Sequence, residues 1–283
     1  MVGERLDPAV QLRKLPARQN SAADCAQAAP ALTPIGRLWS EAHVYIRRKA
    51  HLMRGIVLAM AAYETPEWHP AFEEYCETIF ELGEDDVVVK QARIAERLGV
   101  SRPAVSEMVH RLQTEGLVIG RAGTVKLSAS GKRLAERVVR RHRVAERFLT
   151  DILGISSPDA HHEAGKWEHV LSEKVEAAML KLLGDPTTCP HGNPIPGSGY
   201  KAPATTPLAS LATGSAFTVS RIPEELEFAP GLLEFLEESG IALGVKGTVT
   251  ASSPDGTRTI EIAGNRVGVG AFASERILTT SKD

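Results

Sequence analysis

Residues 91–118 read QARIAERLGVSRPAVSEMVHRLQTEGLV, and the punctuation of that stretch leaves few folds open. Two amphipathic segments are separated by Gly99-Val100. Ser101 is placed to cap the second, Pro103 is tolerated in its first turn, and Val105, Met108, Val109 and Leu112 recur at helical spacing. Gly116 stops the helix as a C-cap would. Two short apolar runs follow, Leu117 to Ile119 and Thr124 to Leu127, joined by the turn Arg121-Ala122-Gly123. Helix, turn, helix and a small hairpin predict a winged helix-turn-helix. A further helix is expected just upstream, where Phe72, Tyr75, Ile79 and Leu82 share a stripe with acidic residues on the other sides.

The chain has 283 residues, enough for more than one core. Ser130 is expected to open a long basic helix, KRLAERVVRRHRVAERFLTDIL, ended by Gly154. Ser157-Pro158 opens the next, and Ser172 begins another that runs to Gly184. The stretch CPHGNPIPGSGYKAPATTP holds too much Pro and Gly for a helix and reads as a loop and linker. From Ala209 onward, short alternating runs with turns at Pro254-Asp255-Gly256 and Gly264-Asn265 predict a small β-barrel interrupted by one helix, PGLLEFLEESG. The expected organisation is an N-terminal extension over 1–69, a DNA-binding unit over 70–132, a helical unit over 133–197, a linker over 198–208 and the barrel over 209–283. Residues 1 to about 38 lack periodicity and are expected to be disordered. A helix over Leu38 to Tyr63 contains Met53 and Met60, which raises the expectation of a natural start inside it; the intact mass of natively expressed protein tests this.

Charge divides the chain more sharply than its net of −2 suggests. Val87 to Leu149 holds fourteen Lys and Arg against five Glu, whereas Thr150 to Gly240 holds five basic residues against thirteen acidic. One half is suited to a polyanion and the other to cations. In the basic half, Ser101, Arg102, Pro103, Ala104, Ser106 and Glu107 occupy the N-terminal face of the expected recognition helix. Arg111, Arg121 and Lys126 are phosphate candidates. Cys25, Cys76 and Cys189 form no paired framework, which fits a reducing compartment. No apolar run approaches the roughly 18 residues of a membrane span, so a cytoplasmic protein without membrane or small-molecule substrate is expected.

In the acidic half, the stretch AHHEAGKWEHVLSEKVE places His161, Gly165, Glu168 and His169 on one helical face, while His162 and Glu163 point elsewhere. His142 and Glu146 on the preceding helix are four residues apart and present two ligands together. Either pair alone is commonly a surface ion pair; two such faces on consecutive helices point to a divalent first-row cation. A hydrolase is the competing class, since His162-Glu163 begins like HExxH, but the second histidine position is Lys166. No nucleophile elbow, P-loop or dinucleotide fingerprint is present.

The stretches ARIAERLGVS, GLV, LSASGKRLA, RRHRVAERFLTDILGI, HHEAGKWEHVLSEKVE and HGNPIPG, in this order, resemble the metalloregulators of the diphtheria toxin repressor and manganese transport regulator family. The resemblance is strong from about Phe72 to Gly197 and weaker to the C-terminus. It implies an α+β protein with an N-terminal winged helix-turn-helix, a helical dimerisation domain and a C-terminal SH3-like (FeoA-like) barrel. It implies, too, a homodimer that binds palindromic double-stranded operator DNA when loaded with Mn(II) or Fe(II). Carried over by position, an ancillary site falls on His142, Glu146 and His161, with Glu224 and Glu227 lent by the SH3-like domain. A primary site falls on Glu168 and His169, with Glu74 where iron-responsive members have methionine and Glu77 where manganese-responsive members use a carboxylate. Hard oxygen in place of thioether leans toward manganese. Gly165 stands where the family has a side-chain ligand and offers only its carbonyl. The primary site is therefore weakened, completed by water, or filled by Glu74 and Glu77 together; otherwise the ancillary site alone carries metal. A metal-independent winged-helix regulator is the alternative.

Overall fold

The computed structural model describes residues 69–85, 87–120 and 123–280. The expected helix over 38–63, the internal start and Arg121 lie outside the described residues.

Helix α1 (Pro70–Glu84) starts at His69, whose Nδ1 accepts from the Ala71 amide. Helices α2 (Gln91–Leu98) and α3 (Arg102–Thr114) are separated by Gly99 in the left-handed region, φ +63°, and Ser101 caps α3 by accepting from the Ala104 amide. The wing is shorter than expected: β1 (Val118–Ile119) pairs antiparallel with β2 (Lys126–Leu127). One core gathers Phe72, Ile79, Ile94, Val105, Leu112, Leu117 and Leu134. It joins the three helices and the wing to the start of the next helix.

That helix, α4 (Ala129–Asp151), begins at Ser128 and not at Ser130, whose hydroxyl donates to the Gly116 carbonyl instead. A Cβ on Gly131 would lie 1.9 Å from the Leu117 carbonyl oxygen, so glycine there lets α4 press against the wing. Helix α5 (Ser157–Trp167) is capped by Ser156 and ends before Glu168, and α6 (Glu173–Leu183) runs from Ser172 to a left-handed Gly184. A second core of Val144, Leu149, Ala164, Met179 and Ile195 holds α4 to α6 together, with Trp167 packed against it.

The C-terminal part is a six-stranded antiparallel sheet in the order β3-β8-β4-β5-β6-β7. Its strands are β3 (Thr206–Pro207), β4 (Ala216–Arg221), β5 (Lys246–Ser252), β6 (Arg258–Ile262), β7 (Asn265–Val269) and β8 (Leu278–Thr280). Between β4 and β5 stand two helices, the expected α8 (Leu232–Glu238) and an additional four-residue α7 (Glu224–Glu227); α9 (Ala271–Ser274) precedes β8. Phe217, Val219, Val249, Ile260 and Ile277 form its core.

The acids of α1 lie on other sides than its packed stripe, as the spacing predicts, but Glu73, Glu77 and Glu81 are nonetheless buried. Their four-residue spacing forms a second face that packs on α4, where Arg137 reaches Glu73, while Arg97 of α2 pairs with Glu81.

Candidate metal centre

Two layers of ligand-type side chains meet where α1, α4, α5, α7 and the loop before Gly197 converge. In the inner layer His142, Glu146, His161, His191, Glu224 and Glu227 are all buried. Glu146 Oε1 lies 3.0 Å from His161 Nδ1 and 3.5 Å from His142 Nε2, and Glu227 Oε2 lies 3.2 Å from His161 Nδ1 and 2.9 Å from His191 Nδ1. Glu146, Cys189 and His191 form a further group with ligand atoms within 4.8 Å of one another. The helical repeat places His142 and Glu146 on one face of α4, as their spacing predicts.

The outer layer holds Glu74, Glu168 and His169, again with ligand atoms within 4.8 Å of one another. His169 Nε2 lies 3.2 Å from Glu168 and 3.6 Å from Glu74, while its Nδ1 meets Glu73 at 2.8 Å. Because α5 ends at Trp167, Glu168 and His169 sit on its terminal turn, not on the continuous face shared with His161 that the spacing suggests. Glu77 does not group with Glu74 and His169. It faces His142 and Glu168, and His142 joins the two layers by pairing Nδ1 with Glu168 at 2.5 Å and turning Nε2 inward. A cavity of about 550 Å³ opens onto this junction, lined among others by Glu74, Glu77, His142, His161, Gly165 and Glu168. Gly165 lines it without a side chain, and a Cβ built there meets nothing within 4 Å.

The electrostatics match a site built for a cation. Burial works to lower His161, but hydrogen bonds to Glu146 and Glu227 outweigh it and hold it at about 10. His169 is held at about 9 against its burial by Glu73 and Glu74. Burial pushes Glu77 well up, reinforced by the neighbouring Glu168. Glu227 stays at about 2 despite burial, because His191 faces it. Burial with Glu146 nearby raises the Cys189 thiol to about 11. Among the buried side-chain atoms without a hydrogen-bond partner are Glu77 Oε1, Glu146 Oε2, His191 Nδ1, Glu224 Oε2 and Glu227 Oε2. His191 Nδ1 and Glu227 Oε2 approach each other closely without hydrogen-bond geometry. Five orphaned donor-type atoms around one junction fit a divalent cation.

Glu224 is only half available, since its Oε1 accepts from Arg143 at 2.9 Å. His162 is exposed at the rim of that cavity, its ring edge-on to His161 with centroids 6.1 Å apart, but belongs to none of the ligand groups, and Glu163 pairs with Lys166. Sequence reasoning missed Glu73, Cys189 and His191. The Cys-x-His spacing of Cys189 and His191 was a usable signal, hidden inside a stretch rich in Pro and Gly.

On α3 the structure exposes Ser101, Arg102, Pro103, Ala104, Ser106 and Glu107 together, with Arg111 beyond them over the Phe72 ring and Lys126 exposed on the wing. Among the described residues no helix is long and apolar enough to cross a membrane.

Residues 69–121 match the family model "Iron dependent repressor, N-terminal DNA binding domain", and residues 128–197 match "Iron dependent repressor, metal binding and dimerisation domain". The iron-dependent repressor IdeR of Mycobacterium leprae is 38% identical over 205 residues, which cover 68% of this chain and 89% of that protein. The chain belongs to the diphtheria toxin repressor family. The members of this family are transcriptional repressors, proteins that bind DNA and are not enzymes. The diphtheria toxin repressor of Corynebacterium diphtheriae is 47% identical over 126 residues, 44% of this chain and 56% of that one. A solved manganese-dependent transcriptional repressor, in complex with manganese, superimposes with a TM-score of 0.67 at 32% identity, covering 75% of this chain and all of that one.

Proposed function

We propose that this family member is a homodimeric repressor of metal-uptake and homeostasis genes, binding a palindromic operator when loaded with Mn(II) or Fe(II), with manganese slightly favoured. The observation that carries the reading is the junction itself, where unpaired buried carboxylate oxygens from separate structural parts face one another. A bound divalent cation would supply the positive charge that lets these carboxylates stay ionised together.

Glu77 and Glu74 on α1, His142 on α4, and Glu168 and His169 after α5 are the residues proposed to hold it near the cavity. Glu146, His161, Glu224, Glu227, His191 and Cys189 would hold a second ion within, with His142 Nε2 turned toward it. When drawn to Glu168 and His142, Glu77 fixes α1 against α4. Since α1 shares its core with α2 and α3, this sets where the recognition helix stands. The outer ligands are oxygen and imidazole, the set that suits manganese, while the Cys189 sulfur gives the inner layer a softer character.

Ile152, Leu153, Val170, Val175 and Leu182 are exposed around the end of α4 and along α6. They supply the apolar surface proposed for the dimer contact. Ser101, Arg102, Pro103, Ala104, Ser106 and Glu107 are proposed to face base edges, with Arg111, Arg121 and Lys126 on phosphates. Operator anisotropy with apo protein, then with Mn(II), with anaerobic Fe(II) and with Zn(II), tests the switch. Equal affinity with and without metal would sink it and leave a metal-independent regulator.

A further inference from the structure

We propose that Phe228 and Arg221, which flank α7, are positioning residues that carry the state of the metal centre to the recognition helix; the proposal presupposes the metal-dependent switch. Helix α7 is only four residues long, yet two of them, Glu224 and Glu227, belong to the inner layer of the centre. The residues on either side reach the DNA-binding part. Arg221 pairs with Asp85, at the end of α1, at 2.6 Å, and Asp85 also accepts from the Glu225 amide. On its other side Arg221 donates to Asn193, which in turn donates to Glu227.

Phe228 makes the second connection. Its ring stands edge-on to His161 with centroids 5.1 Å apart, and the Arg97 guanidinium sits 3.4 Å above the ring centroid. Arg97 lies in the last turn of α2, four residues before the cap of α3; it pairs with Glu81 and donates to the Glu224 carbonyl. One aromatic ring thus touches a ligand-type imidazole on one side and a helix-turn-helix cation on the other. Although Phe228 is half exposed, its position is held by these polar partners and not by the core of the C-terminal sheet. Any displacement of Glu227 or His161 on loading moves the contact that orients Arg97, and two arrangements of that contact suffice for coupling. A guanidinium over an aromatic face needs the ring's quadrupole as well as its bulk, which separates the role from simple packing.

The test uses the full chain. Operator affinity is measured with and without Mn(II), and the coupling ratio of the two is compared across variants. Manganese stoichiometry is followed by calorimetry, and hydrogen exchange of residues 91–98 and 224–228 is followed in both states. Phe228→Leu and Arg221→Ala are expected to lower the coupling ratio about tenfold while leaving apo operator affinity and stoichiometry unchanged. Manganese should then slow exchange over 224–228 but no longer over 91–98. Phe228→Trp, which keeps an aromatic face for Arg97, should retain the wild-type ratio. A wild-type ratio of one overturns the switch and this role together. A clear wild-type ratio that Phe228→Leu and Arg221→Ala leave intact overturns the positioning role alone. So does an equal loss of affinity with and without metal, which marks a general structural contribution.

Discussion

The two layers of the candidate metal centre share histidine and glutamate and differ in what surrounds them. The outer group of Glu74, Glu168 and His169 borders the cavity, and its Glu74 is partly exposed. The inner group of His142, Glu146, His161, His191 and Glu227 is buried, meeting that cavity only at His142, His161 and Glu227, and has a thiol beside it. An imidazole between carboxylates near water can exchange partners at small cost. Enclosed, the same pair must be neutralised by a proton or a metal ion, because a lone buried charge costs several kcal/mol. On the proposed function, the inner layer is where protons and metal would compete most directly, and the outer layer is where ligand hardness would tune selectivity.

The largest test of this contrast is removal of metal across pH. The folded pKa of His161, about 10, lies above its ordinary 6.5, so the stability it contributes to the apo protein is complete below about pH 6.5. That contribution is lost as pH rises toward 10, whereas ligation requires the neutral ring. Thermal denaturation should show the apo Tm falling over that range and the gap to the Mn(II)-loaded protein widening. With metal near a thousandfold over its Kd, binding contributes about 4 kcal/mol, on the order of 10 °C for a chain of this size.

Next in size is His142→Ala. Because this ring serves both layers, Mn(II) affinity measured by calorimetry should fall about 100-fold or more, the upper end of what even a supporting residue costs. Weakening of one class of sites alone would show that the layers are independent. Glu74→Met and Cys189→Ser then separate them by hardness. The first should move the Fe(II) to Mn(II) affinity ratio about tenfold toward iron, and the second should weaken Fe(II) or Zn(II) more than Mn(II). Identical shifts from both substitutions would dissolve the distinction. Smallest of all is His162→Ala, whose exposed ring meets the Pro158 carbonyl and the edge of His161 but belongs to none of the ligand groups. It should change stability by less than about 0.5 kcal/mol and leave metal activation unaltered.

Local chemistry explains most of what was legible in the chain alone. Ser101 and Ser172 cap helices, Gly99 and Gly184 take the left-handed conformation that ends them, and the α3 stripe packs inward, all because caps and periodicity act over a few residues. The four-residue step from His142 to Glu146 is likewise local, and so was open to reading from spacing. Tertiary structure decided the rest. It buried the acidic face of α1, brought Cys189 and His191 to Glu146 from more than forty residues away, and gave one oxygen of Glu224 to Arg143. It also turned His142 into the link between two groups that the sequence separates. A polar side chain is satisfied by whatever donor or charge the packed chain brings within hydrogen-bond reach, and that neighbour is set by how whole elements dock, not by the residues beside it in sequence.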